Sequence, residues 1–385
     1  MKHNRKIIYL AGFLFSLPIA LMSYINSSFL SLFVSGELMG ITYALGSIAS
    51  ILALLVAPTV WRKMGGYKFL LWVIGLDALS ILVFALSLNT WSIVLAFIGG
   101  FALNIIIVFS LDELLKIFSR NSKTGGIRGT YMAIANLAWI ASQLLLVFGG
   151  IEGVFTFRTT YFIAFFIMLV FFFLSFFSLG NIRDPEYDNR KIIKYLKDFL
   201  KNKNLSRAYC LNFLLQIFFS FMIIYTPIYL SAHLGFSWRE IAMIFAIMLL
   251  PFSILPFREG IYSDKIGERK MLMVGFLIAS LATLGLFFID SHEVWVWALA
   301  LFMTRVGAAT IEVMSDSYFF KHIKPENEEW VGVYRSAPPV AYIIGPLAAL
   351  LIFNFVPSFN FIYLVLGALM LYGVYLSSTI RKGDI

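Results

Sequence analysis

The chain has 385 residues, of which 60% are hydrophobic and 13% charged, and its formal net charge is +9. An ordinary soluble domain carries about 25% charged residues, so this chain lacks the polar surface to meet water, and lipid has to cover the deficit. A basic balance would suggest nucleic acid in a soluble protein; here the charges fall in the gaps between long apolar runs and report membrane orientation instead, while the one cysteine, Cys210, excludes an internal disulfide.

The runs are about twenty residues long, the length at which a helix rising 1.5 Å per residue crosses a hydrocarbon core roughly 30 Å thick. In lipid every backbone amide must be satisfied, so a span is a helix or part of a closed barrel. A barrel strand alternates polar and apolar residues, whereas the stretch from Phe162 to Phe177 is apolar on every face. The expectation is therefore an all-α integral membrane protein with twelve transmembrane helices. They are placed at 7–33, 38–60, 68–87, 91–113, 129–150, 159–179, 207–231, 238–258, 270–289, 294–318, 331–353 and 358–379.

The first span follows Lys2, Arg5 and Lys6, as the core of a signal peptide would, but it is too long for one and many spans follow. It carries Pro18 and Asn26. Span two runs into Arg62 and Lys63. Span three contains Asp77, and span four contains Asn104 and ends on Asp112 and Glu113. Asn136 and Gln143 share a face of span five. Between spans six and seven, residues 181–206 are polar, with Ile192, Ile193, Leu196, Phe199 and Leu200 recurring at helical spacing among lysines. That pattern predicts an amphipathic helix on the inner leaflet, acting as a tether. Asn212 and Gln216, four residues apart, share a face of span seven, and Tyr225 lies further along the same span. Prolines at 227, 251, 338 and 339 fall in spans seven, eight and eleven, where each removes a backbone donor and bends its helix. Trp91, Trp295 and Trp297 fit interfacial anchors. Span ten carries Arg305 and Glu312, two turns apart on one face, then Asp316. A charge at that depth costs several kcal/mol and needs a partner or a wet cavity.

Even-numbered spans return the chain to the side of its N-terminus. All but four of the 30 Lys and Arg residues fall on that side. The exceptions are Arg158 and Arg239 in opposite loops, Arg305 inside a span and Arg335 at a membrane edge. Such a bias places both termini in the cytoplasm of a multi-pass protein of the cell (plasma or inner) membrane.

The second half repeats the first. Gly65 corresponds to Gly267 at an offset of 202, Asp112 to Asp316 at 204, and Gly129-Thr130-Tyr131 to Gly332-Val333-Tyr334 at 203. Two pseudo-symmetric six-helix bundles follow, 1–180 and 207–385, joined by the linker 181–206.

Between spans eight and nine the chain reads Gly260-Ile261-Tyr262-Ser263-Asp264-Lys265-Ile266-Gly267-Glu268-Arg269-Lys270. This resembles the cytoplasmic loop signature of the major facilitator superfamily, G-x-x-x-D-[RK]-x-G-x-[RK]-[RK], at the place the family has it. The span count, the halves, the basic central loop and Ile344-Gly345-Pro346-Leu347 extend the resemblance over the chain. It implies a secondary transporter that works by rocking two halves, with spans one, four, seven and ten lining a central cavity. On that basis Arg305 is the expected cavity cation for an anionic or polar solute, and Glu312 a protonatable group for proton coupling. Asn26, Asn104, Asn136, Gln143, Asn212, Gln216 and Tyr225 are further polar candidates for the cavity, though amides also bond across helices simply to pack. Asp77, on a span usually peripheral in the family, is expected to be structural or interfacial.

The resemblance also implies a cytoplasmic gate in which Gly260 and Gly267 let helix ends turn and Asp264 faces a helix N-terminus. Lys265, Arg269 and Lys270 would pair with acids such as Asp316. The first half departs from the signature: Pro58 and Arg62 stand where the family has glycine and aspartate, leaving Arg62 and Lys63 to pair with Asp112 or Glu113. Glu268, too, occupies a position that is often basic.

There is no G-x-x-x-x-G-K-[ST] loop for ATP. The four histidines, His3, His233, His292 and His322, are scattered, which weighs against a membrane-embedded lipid-modifying enzyme. The remaining alternative is a scaffold or sensor of transporter fold that no longer transports. The expected partners are membrane lipids and a small-molecule solute, with protons as the candidate coupling ion. No nucleic acid, cofactor, metal or catalytic residue is expected, and the chain is expected to be a monomer.

Overall fold

The structure is a computed structural model that describes residues 2–119, 124–148, 154–180, 199–322 and 329–380. The helices are α1 Lys2–Ser23, α2 Asn26–Leu30, α3 Gly36–Met64, α4 Gly66–Leu86, α5 Thr90–Ser119, α6 Thr124–Phe148 and α7 Val154–Ser178. There follow α8 Lys203–Ile228, a π-helical turn Tyr229–His233, α9 Trp238–Met248, α10 Pro251–Ile266, α11 Glu268–Leu286, α12 Val294–His322, α13 Glu329–Tyr334, α14 Ala337–Phe353 and α15 Phe361–Ser378. Among the described residues, twelve helical stretches are long and apolar enough to cross a membrane, as the hydropathy required.

Helix starts follow from local chemistry. The Ser35 hydroxyl accepts from the Leu38 amide at the head of α3, and the Asn202 side chain accepts from the amides of Asn204 and Leu205 at the head of α8. Ser237 and Glu240 form a reciprocal box: the Ser237 amide donates to Glu240 Oε2 at 2.8 Å, and the Glu240 amide donates to Ser237 Oγ at 3.3 Å. Each satisfies an amide that has no partner inside its helix. Prolines mark the breaks. Pro251 opens α10 and divides span eight, Pro338 and Pro339 lie in the first turn of α14, and Pro227 lies two residues before the π-helical turn begins.

The chain divides into two compact units, Met1–Asp188 with Ser237–Ala242, and Asn189–Phe236 with Met243–Ile385. In the first, α1 packs on α5, α6 and α7, α3 on α5, and α4 on both α5 and α7. In the second, α8 packs on α12, α14 and α15, α10 on α12, and α11 on both α12 and α15. Span for span, one pattern of neighbours occurs twice. The repeat extends to single torsions. Gly65 closes α3 and opens α4 at φ 82°, ψ 142°, and Gly267 separates α10 from α11 at φ 85°, ψ 145°. No L side chain adopts that conformation without strain, so glycine at both joints is a backbone requirement.

Three expectations change. The signature between spans eight and nine is not a loop: Gly260 to Ile266 continue α10, and Gly267 alone forms the turn. Trp295 is exposed as an interfacial ring should be, but Trp297 is fully buried and its indole N–H donates to the Ser291 carbonyl at 2.9 Å. Of the amphipathic stretch, 181–198 lies outside the described residues. At its far end Leu200 is exposed, whereas Phe199 is buried against the rings of Tyr209, Phe319 and Trp330, so that ring packs on protein.

Candidate functional site

The candidates of the second unit gather on α12 and α8. Arg305 is 1% exposed, and its guanidinium stands 5.3 Å from the ring centres of both Phe218 and Phe219 on α8. Planar, weakly hydrated guanidinium suits such a stacked position better than an ammonium. Glu312, two turns further along α12, is partly buried, and the charges of Asp316, then Arg335, then Arg305 act on it. On α8 the Gln216 amide donates to Asn212 Oδ1 at 3.2 Å, so the pair does share a face. Tyr225 is buried among Phe221, Phe353 and Phe359. Gly345 lets α14 close on α8; a methyl there would lie 3.1 Å from Ser220 Cβ.

In the first unit the polar candidates are largely engaged in packing. Asn26, at the break between α1 and α2, accepts from the Tyr161 hydroxyl at 2.8 Å. Gln143 is fully buried; its amide meets the Ala20 carbonyl at 3.5 Å and Ser142 Oγ at 3.0 Å, tying α6 to α1. Asn104 donates to the Gly100 carbonyl one turn back on α5, at 2.8 Å. Asn136 lies partly buried on α6.

Of the residues expected at a gate, the side chains of Asp264 and Lys265 and the surroundings of Gly260 lie outside what is described. Asp316 is held by the helix after it: the Tyr334 hydroxyl donates to Oδ1 at 2.8 Å and Arg335 stands 3.4 Å from Oδ2. The first unit has the equivalent pair, with Asp112 acting electrostatically on Tyr131. Arg269 is partly buried and Lys270 exposed at the start of α11, while Arg62 and Lys63 are exposed in the last turn of α3 and Asp112 and Glu113 are partly buried on α5.

An ion pair that the sequence reading missed runs with opposite sign. Glu268, 1% exposed in the first turn of α11, forms an ion pair with Lys321 of α12 and accepts from Ser317 Oγ at 3.1 Å. An acid is favoured there by the positive end of α11, which accounts for the departure from a basic residue. Lys321→Gln leaves a buried carboxylate without its cation and should cost about 1–3 kcal/mol; Glu268→Gln, still able to accept from Ser317, should cost less. The double variant should recover part of the Lys321→Gln loss. Thermal unfolding of the four proteins in detergent measures this, and strictly additive losses would refute the coupling.

Beyond the predicted set, Glu259 of α10 is buried and takes a short hydrogen bond from the Thr310 hydroxyl of α12, which pins those two helices together. The signal for it was an acid four residues before Ser263, outside the recognised signature.

With this geometry in place the comparisons are unambiguous about family. A family model described as Major Facilitator Superfamily matches residues 7–289 and 226–382. The chain belongs to that superfamily, which makes it a multi-pass membrane transporter and not an enzyme. No curated protein matches the sequence. Among solved structures, a D-xylose-proton symporter aligns with TM-score 0.78 and 14% identity over 99% of this chain and 98% of its own. The nucleoside transporter NupG gives 0.74 and 12% over 97% of each, and the human organic anion transporter MFSD10 (TETRAN) gives 0.66 and 17% over 98% and 99%. At such identities the likeness concerns the fold.

Proposed function

We propose that this secondary transporter moves a small organic solute, anionic or strongly polar, by alternating access, with protons as the coupling ion. The observation that carries the reading is Arg305, a guanidinium at membrane depth, 5.3 Å from each of two phenylalanine rings and within electrostatic reach of Glu312. A solute carboxylate or phosphate arriving at Arg305 competes with Glu312 for its charge. Glu312, deprived of that partner in a desolvated place, then takes a proton. Solute and proton thereby bind as a set. Asn212 and Gln216 supply directional hydrogen bonds from α8, and Asn26, Asn104, Asn136 and Gln143 are the polar positions of the other half. Structural likeness to proteins named as a proton symporter and as an organic anion transporter supports the reading. The gate role of the Gly260–Lys270 segment, of Asp316 and of Arg62, Lys63, Asp112 and Glu113 belongs to the same proposal. So do the 1–180, 181–206 and 207–385 division and cytoplasmic termini in a plasma or inner membrane; the Lys and Arg bias supports the latter.

The test is uptake into proteoliposomes of a panel of radiolabelled organic anions, sugars, nucleosides and amino acids, with and without an imposed pH gradient. Organic anions should accumulate, the gradient should raise accumulation several-fold, and Glu312→Gln should abolish that increment. Flux of no compound would return the chain to the scaffold or sensor reading; accumulation indifferent to pH and to Glu312→Gln would remove the proton.

A further inference from the structure

Asp77 sits midway along α4, 1% exposed, and neither of its carboxyl oxygens has a hydrogen-bond partner among the described residues. It is buried inside the helix packing of the first unit. The helices packed against α4 are α3, α5 and α7, and their titratable and charged groups lie at other levels or are engaged elsewhere. On α7, the Arg158 guanidinium donates to the carbonyls of Ala85 and Ser87, at the far end of α4, and Tyr161 donates to Asn26. On α5, Asp112 and Glu113 lie about three turns past Gly100. On α3, Tyr43 packs edge-on against Phe97 and Phe101, and Glu37, Arg62 and Lys63 occupy the two ends. On α4 itself, Tyr67 and Lys68 lie in the first turn, where the Tyr67 hydroxyl donates to the Phe176 carbonyl.

An ionised carboxylate so placed, with neither counter-charge nor donor, costs several kcal/mol. The neutral acid escapes that cost, yet its hydroxyl has no acceptor in this arrangement. Any neighbouring donor that swings to this group therefore favours its ionised form. The means lies on the facing stretch of α5. Gly100 has no side chain, and a methyl there would stand 3.8 Å from Asp77 Oδ1. One turn on, the Asn104 amide donates back to the Gly100 carbonyl, and its own carbonyl oxygen is buried without a hydrogen-bond partner among the described residues. A turn of the Asn104 side chain would release that amide toward Asp77.

We propose that Asp77 is a proton-binding site of the first unit, protonated in the conformation described here and emptied when the Asn104 amide turns to it. On release the acid O–H bond breaks, the proton passes to water admitted between α4 and α5, and the electron pair stays on the carboxylate, which then accepts from Asn104 Nδ2. This deepens the transporter reading and rests on it for its purpose, which is to place a proton on the half of the protein that does not carry Arg305. Its test needs no solute, so it can fail while transport stands.

The protein is reconstituted in nanodiscs and titrated with alkali while infrared spectra and hydrogen exchange are recorded. At neutral pH the wild type should show a protonated-carboxyl stretching band that Asp77→Asn lacks and Glu312→Gln keeps. Raising the pH should remove the band and increase exchange in 66–86 and 90–115 several-fold. Asp77→Asn should hold the low-pH exchange pattern throughout, and Asn104→Leu should keep the band to higher pH. If Asp77→Asn fails to fold, Asp77→Glu should return a titrating band at a displaced frequency. Identical bands in wild type and Asp77→Asn, or a pH response that survives Asp77→Asn, would overturn the proposal. So would an exchange response that follows sodium at fixed pH, which would make the site a sodium site.

Discussion

Gly307→Val should prevent the second unit from folding, giving aggregated protein in detergent, and Gly307→Ala should lower the unfolding midpoint. Gly307 lies on α12 where that helix meets α11. A methyl there would fall inside contact distance of the Ala279 amide nitrogen and the Gly275 carbonyl oxygen, and 2.8 Å from Ala279 Cα. All three are backbone atoms, so no rotamer change relieves the clash; the helices must separate. Overpacking of this kind typically costs about 1–3 kcal/mol for one methyl, and a branched side chain adds to it. Separation also loosens the Glu268–Lys321 pair and the seat of α15, where Ser280 donates to the Gly367 carbonyl at 2.7 Å. Gly285→Ala is the control, because nothing lies within 4 Å of the added carbon. Equal midpoints for Gly307→Ala, Gly285→Ala and the parent would refute the account.

Arg305→Gln should weaken binding of the best anion of the uptake panel by about 10–150-fold, the equivalent of one charged hydrogen bond worth about 1.5–3 kcal/mol. Arg305→Lys should recover only part, because an ammonium keeps the charge but not the planar donor set or the stacking on Phe218 and Phe219. Ligand-induced shifts of the unfolding midpoint, compared with each variant's own ligand-free midpoint, separate affinity from stability. If both variants lose stability yet keep the parent's ligand shift, Arg305 is a clamp between α12 and α8 and the solute's charge is read elsewhere.

Hydropathy located every span, because a helix in lipid must be apolar for its whole length whatever it touches. The same property hides which face meets protein. Leu301 is fully buried and Leu299, two residues away, is 57% exposed, yet both are leucines in one run. For that reason Trp297 and Phe199 were expected at the lipid boundary and lie inside. The glycine joints were legible as equivalent positions, since the near-constant offset of 202–204 already paired Gly65 with Gly267. The depth of Arg305 was legible too, because a charge in the middle of a run is conspicuous. Partners were not. Glu268 and Lys321 lie far apart in sequence and meet only through the packing of α11 on α12. The isolation of Asp77 is a property of its surroundings and leaves no mark on its own helix. Gly307 could have been anticipated from Gly275 and Ala279, small residues one turn apart that invite a close helix.

The two glycine joints also set what the chain can tolerate in length. Each of Gly65 and Gly267 is a whole connection in one residue, with helix on both sides. One residue added to a long connection is absorbed as slack. Added at Gly267, it would have to be taken up by the helix that follows, which advances about 100° per residue. Such a rotation would carry Gly275 away from Thr310 and Ile311 and turn Ser280 and Thr283, now buried, toward the acyl chains. The spacing between neighbouring spans is therefore under tighter constraint at these two points than the identity of most residues within the spans themselves.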